Sequence, residues 1–300
     1  MLNIFKRNSL LLEENIIEWI IEAFLWNFKE FGNDVFINET ILVVPDNNHF
    51  PGKETSADGM ANLIFEQVKH YAGMTHWPTQ LFNSQQGTPP IPSSQAVVIK
   101  GGIRGKNAGS SDESFSLQQI NNQAAFFTTS YPQAASNIPF SYHPQQLKSP
   151  EGIIAHFAHG LSHHLAATAK TPPPGGADYR PMTGEITGIF MGFGVMFANS
   201  AIVARAGGCG GCGGGQSPVR QVYLNEEEAT YALAVFCNLK SIEGKQATKH
   251  LKKHLRGFFK SALKDSKQRL QDNELLMFTQ QNQKNQISSK LSNSYPIHNS

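Results

Sequence analysis

SPEGIIAHFAHGLSHHLAATA, residues 149–169, holds four of the chain's eleven histidines within nine residues. It reads as a helix with a marked start. Ser149 can cap the free amides of the first turn, Pro150 suits the first helical position, and Glu151 sits where the helix dipole favours an anion. At about 100° per residue, His156, His159 and His163 fall within roughly 60° of one another on one face. Ile154, Phe157, Leu161 and Leu165 line another, so a histidine stripe runs beside a core stripe.

His159 and His163 have the i, i+4 spacing with which a helix presents two imidazoles to zinc, as in HExxH, where the intervening Glu polarises the bound water. Here the five residues are HGLSH, and Gly160 stands where that Glu would be. Glycine has no side chain with which to accept a proton. About twenty residues on, TGEITGIFMGFGVMFANSAIVA, residues 183–204, spaces Gly184, Gly188 and Gly192 every fourth residue. That leaves a smooth face for close approach of another backbone. With the histidine helix as its partner, this approach places Glu185 near His159.

Together, AHGLSHHL and IFMGFGVMFANSA (residues 189–201) resemble a family of bacterial proteins with zincin-like signatures, in which an AHELAH-type helix precedes a Glu-x-x-Thr-Asp segment and an AVFLGFGVFLANSA run. PDNNHFPG near residue 45 and YLNEEEATYALAVF near residue 230 extend the resemblance, in weaker form, over two thirds of the chain. It implies an α+β fold with a zincin-like, metallopeptidase-type core, mostly helical with a small sheet. It also implies that the family's two histidine ligands fall on His159 and His163 and its general base on Gly160. Its third ligand falls on Pro181 and its outer-sphere Asp on Glu185. Zinc is the cofactor so implied. Two side chains that would make a hydrolase are missing. His156, one turn before His159, is the candidate replacement ligand, and Asp178 or Glu185 the candidate ligand or base.

The rest of the composition sets bounds. Three hundred residues with 40% hydrophobic content can bury a substantial core. Charged residues are 16% and the net charge is +2, so nothing calls for nucleic acid. Glu13 and Glu14 interrupt the apolar N-terminal run and no small-residue cleavage site follows, so no secretory signal is expected and the cytoplasm is the expected compartment. Three cysteines fit a reducing compartment. Cys209 and Cys212 form a C-x-x-C within a glycine-rich stretch, open to a flexible-loop, metal or redox reading. The apolar run 186–204 is long enough to cross a membrane, but Thr187, Asn199 and Ser200 interrupt it, and no membrane span is expected.

Along the chain, apolar spacing predicts amphipathic helices over residues 13–31, 56–73 and 245–269, the last with many lysines outward. ETILVVP, residues 39–45, reads as a buried strand, and AVVIK and IPFSY as further strands, IPFSY with an edge that can pair with a peptide. His49, in the turn after ETILVVP, reads as a surface residue. GGIRGKN, residues 101–107, looks like a phosphate loop but has the wrong spacing for one. Asn225 and Glu228 make a capping box for the helix that follows. Residues 1–270 read as one domain and 271–300 as a disordered polar tail.

The expectation is a zincin-like protein with a degenerate site, binding an unknown protein or peptide. Its metal candidates are His159, His163, His156 and Glu185. The alternatives are an active metal-dependent hydrolase with non-standard ligands and a metal-free scaffold. For Gly160, the expectation is a position made neutral by loss of the base, where Ala is modestly stabilising and Glu is tolerated; the alternative is that backbone of the following glycine-rich helix or of the TPPPGG loop, residues 171–176, lies against it, where Ala destabilises.

Overall fold

Ile17, Ile20, Phe24 and Phe28 recur every three or four residues, and α1 (Glu14–Phe31) turns all of them inward. The computed structural model describes residues 11–87, 97–117, 137–201 and 221–271. After α1 come α2 (Asp34–Asn38) and α3 (Ala57–Ala72), the latter capped by Ser56, whose hydroxyl accepts from the Gly59 amide. Four short strands follow: β1 (Thr79–Asn83), β2 (Val97–Lys100), β3 (Ser114–Leu117) and β4 (Ile138–Tyr142). β1 pairs parallel with β4 in the register Thr79↔Ile138, and β2 pairs antiparallel with β3 in the register Val97↔Leu117. Helices α4 (Pro150–Ala167), α5 (Arg180–Gly188) and α6 (Gly194–Ser200) form the centre, and α7 (Glu226–Leu239), α8 (Gly244–Thr248) and α9 (Leu255–Gln271) complete the order. The fold is α+β, mostly helical with little sheet.

The caps form as the sequence predicts. Ser149 accepts from the Gly152 amide ahead of Pro150, and Asn225 and Glu228 close a reciprocal capping box at α7. IPFSY is the strand that leads into the histidine helix. β1 pairs along one edge of it, and Ser141 O accepts from His156 Nε2 at 2.8 Å.

Several expectations are corrected. Residues 40–44 are extended and largely buried but belong to neither sheet; the Val43 amide donates to Gly192 O at 3.0 Å. That carbonyl is available because the apolar run 186–204 is not one helix. A π turn, Ile189–Phe193, separates α5 from α6, and Gly192 within it has φ +102°. A Cβ at Gly192 would stand 2.1 Å from Ile41 O, so only glycine admits the extended segment this closely. Among the described residues no helix is long and apolar enough to cross a membrane.

The basic C-terminal helix is also divided, into α8 and α9. The side chain of Asn199 reaches the break between them, donating to His250 O at 2.8 Å and accepting from the Lys252 amide at 3.0 Å. A buried amide that satisfies two backbone groups stabilises the interruption. Gly160 differs from expectation as well, because Phe140 of β4 lies against it.

The core centres on aromatic rings from distant segments. Phe36 stacks on Phe190 at 4.7 Å, and Phe28 meets Phe190 edge-on at 5.2 Å. The TPPPGG loop is pinned to α1, with Trp19 Nε1 donating to Pro174 O and Trp26 Nε1 to Thr171 Oγ1. The C-x-x-C stretch, the AAFFTTS stretch (residues 124–130), whose sequence suits a small meander or hairpin, and the polar tail lie outside the described residues.

Candidate functional site

α4 and α5 pack against each other, and their contact brings the histidine stripe onto Glu185. His159 and His163, one turn apart, have ring centroids 4.2 Å apart. His163 lies across α5 at Gly184, where a Cβ would stand 2.6 Å from its Nε2. His159 Nδ1 is 3.5 Å from Glu185 Oε1, an ion-pair distance when the imidazole is protonated. The glycine spacing of α5 thus admits one imidazole and sets a carboxylate beside the other.

Glu185 is 1% exposed, and an isolated carboxylate so buried would be costly. Its second oxygen is held by the backbone. Oε2 accepts from the Leu224 amide at 2.7 Å and the Tyr223 amide at 3.3 Å, where the chain enters α7. Amides donated to a carboxylate favour its charged form. The Tyr223 ring stands over both histidines, parallel to His159 at 6.1 Å and tilted to His163 at 6.0 Å. Burial, and then the charge of Glu185, raise the Tyr223 phenol above its ordinary range. Glu228, in the first turn of α7, is raised too. Burial is the largest cause and the charges of Glu185 and Glu227 add to it, against a backbone hydrogen bond from Asn225. Tyr223 and Glu228 were not singled out for this site in the sequence; Tyr223 precedes the capping box by two positions, a place with no pattern of its own.

The remaining candidates are elsewhere. His156 is on the same helix, but its Nε2 donates to Ser141 O, which turns the ring to β4. Pro181 begins α5 and offers no donor atom, and Asp178 is exposed in the 3₁₀ turn Ala177–Tyr179. His49 is partly buried, with Nδ1 2.7 Å from Asp46 Oδ1 and its ring beside Tyr71. Among the described residues, no group of three or more His, Cys, Asp or Glu side chains is arranged to hold a metal ion.

Gly160 is half-buried, and its neighbour is neither the glycine-rich helix nor the TPPPGG loop. A Cβ there would stand 2.7 Å from Cε1 of Phe140, on β4. Phe140 is itself wedged between Phe65, at 4.9 Å, and His164, at 5.3 Å. The position is therefore not neutral: the space a side chain would need is filled by a ring with little freedom to move.

Chemically, the arrangement can orient an imidazole, hold a proton between His159 and Glu185, and offer aromatic and imidazole faces to a ligand. No family model, no curated protein and no solved structure matches the chain.

Proposed function

We propose that this is a zincin-like protein with a degenerate active site, which binds a protein or peptide rather than hydrolysing it. The observation that carries the proposal is Phe140 in the space beside Gly160. A general base on this helix would project from residue 160 towards a bound water, and that volume holds an apolar ring.

The donor set fits zinc only in part. His159 and His163 offer two nitrogens at the right spacing. Glu185 is better placed to orient than to ligate, because Oε2 is held by two amides and Oε1 faces His159. A carboxylate behind a histidine fixes its tautomer and direction. His156 is turned away. Two ligands without a third bind zinc weakly and leave a bound water poorly ordered, so the metal site is a vestigial one.

Calorimetric titration of zinc into untagged, metal-free protein, with a peptide and ester substrate screen beside it, tests this. We expect micromolar or weaker zinc binding that is lost in His159→Ala and His163→Ala, and no turnover. Tight stoichiometric binding with chelator-sensitive hydrolysis, both abolished by those substitutions, would instead make the protein an active metal-dependent hydrolase with non-standard ligands. No zinc binding at all would leave the histidines as polar filling of a scaffold.

A further inference from the structure

A cavity of about 120 Å³ lies where the segment after α2 meets the loop after β2, with Glu39, Thr40, Ile41, Tyr71, Arg104 and Lys106 in its walls. Arg104 is only 6% exposed. Its Nη2 donates to Thr40 Oγ1 at 2.8 Å, and the guanidinium stands 5.6 Å over the Phe190 ring. Nε and Nη1 find no hydrogen-bond partner among the described residues. A buried guanidinium with unused N–H groups is costly unless something completes its shell.

The acid in the cavity does not do so. Burial pushes the Arg104 guanidinium down to about 10, and Glu39 lies close enough to offset part of this, but its Oε2 is engaged by the Lys106 amide at 2.6 Å. Behind the wall a second cation, Lys240, donates to Phe36 O and Ile37 O at 2.6 and 2.7 Å. Burial and the charge of Arg104 push its ammonium down to about 8. Lys106 adds an exposed ammonium-bearing side chain to the lining. Three cations against one carboxylate leave this region electropositive, with apolar walls at Ile41 and Tyr71.

We propose that the cavity binds a small oxyanion, carboxylate or phosphate, held by the guanidinium of Arg104 with Lys106 beside it. Guanidinium supplies several directed donors to such a group and stays charged when buried. The residues lie in GGIRGKN, whose spacing excludes an ordinary nucleotide phosphate loop; the site is built from a side chain and not from a backbone cradle.

The test follows thermal unfolding of the full chain in rising inorganic phosphate or rising acetate, at constant ionic strength. A ligand that binds only the folded state raises Tm with the logarithm of its concentration above Kd. We expect a midpoint concentration for at least one anion, with the response lost in Arg104→Met. Lys106→Ala, an exposed change, should leave the anion-free Tm unaltered and weaken the response by roughly two- to fivefold; it carries the test alone if Arg104→Met does not fold. A stronger response to phosphate identifies a phosphoryl ligand, and a stronger response to acetate a carboxylate. The His159→Ala protein should respond like the parent, which separates this site from the histidine site. No specific response to either anion, or equal responses in parent and Lys106→Ala, would overturn the proposal.

Discussion

Phe140 and Gly160 are complementary: the ring of one occupies the volume in which the other, given a Cβ, would place it 2.7 Å from Cε1. In an exposed helix, Gly→Ala gains about 0.8 to 1 kcal/mol. Overpacking costs about 1 to 3 kcal/mol, and Phe140 is held by Phe65 and His164. We expect Gly160→Ala to lose up to about 2 kcal/mol net in urea unfolding, and Gly160→Glu to lose more without gaining peptidase activity. In a Phe140→Ala background the sign should reverse and Gly160→Ala become stabilising. An unchanged cost in that background would show that the ring is not the obstacle.

Gly184 makes room for His163 in the same manner, with 2.6 Å between an added Cβ and Nε2. Gly184→Ala should displace the imidazole, lower stability by about 1 to 3 kcal/mol and remove what zinc binding there is. The pairing is checked by Gly184→Ala in a His163→Ala background, where the stability cost should largely vanish.

Glu185 joins α5 to the entrance of α7 through the amides of Tyr223 and Leu224. Glu185→Ala leaves those buried donors without the acceptor, and we expect a loss of about 2 to 4 kcal/mol. Glu185→Gln keeps one acceptor oxygen and should lose less. If Glu185 orients His159, both variants should also weaken zinc binding, by about 10- to 100-fold if the ligand set is otherwise intact. Equal zinc affinity in parent and Glu185→Gln would remove that role.

His164 supplies a pH dependence. Its apolar surroundings push its imidazole down to about 4 from an ordinary value of 6.5. The unfolded chain therefore takes up the proton first. The contribution to stability is complete above about pH 6.5 and is lost as pH falls towards about 4. A shift of this size corresponds to about 3 kcal/mol at most, and to less for a ring that is only half-buried. Urea midpoints measured through that window should fall more steeply for the parent than for His164→Gln. Parallel curves would contradict the assignment.

At Gly192 two constraints coincide, φ +102° and Ile41 O only 2.1 Å from a Cβ. Neither can be relieved by turning a side chain. Gly192→Ala should cost about 3 kcal/mol or more or prevent folding, read from soluble yield and thermal unfolding.

The local signals in this chain were legible because each depends on a few neighbouring residues. Ser149 with Pro150, and Asn225 with Glu228, mark helix starts through hydrogen bonds that span three residues, and the apolar spacing of α1 and α3 reports a face directly. Even the approach of Glu185 to His159 could be anticipated, since small residues every fourth position of one helix admit the side chains of another. What the sequence could not settle was who fills a space or accepts a bond across long separations. An extended apolar run such as residues 40–44 suits a strand equally well wherever its amides go, and only the tertiary structure sends Val43 to Gly192. A glycine in a helix is consistent with neutrality or with close packing, and only the fold supplies Phe140. Arg104 and Tyr223 lie in stretches whose local order does not reveal what they meet; their surroundings are assembled from segments far apart in sequence, because burial and charge depend on where the chain returns.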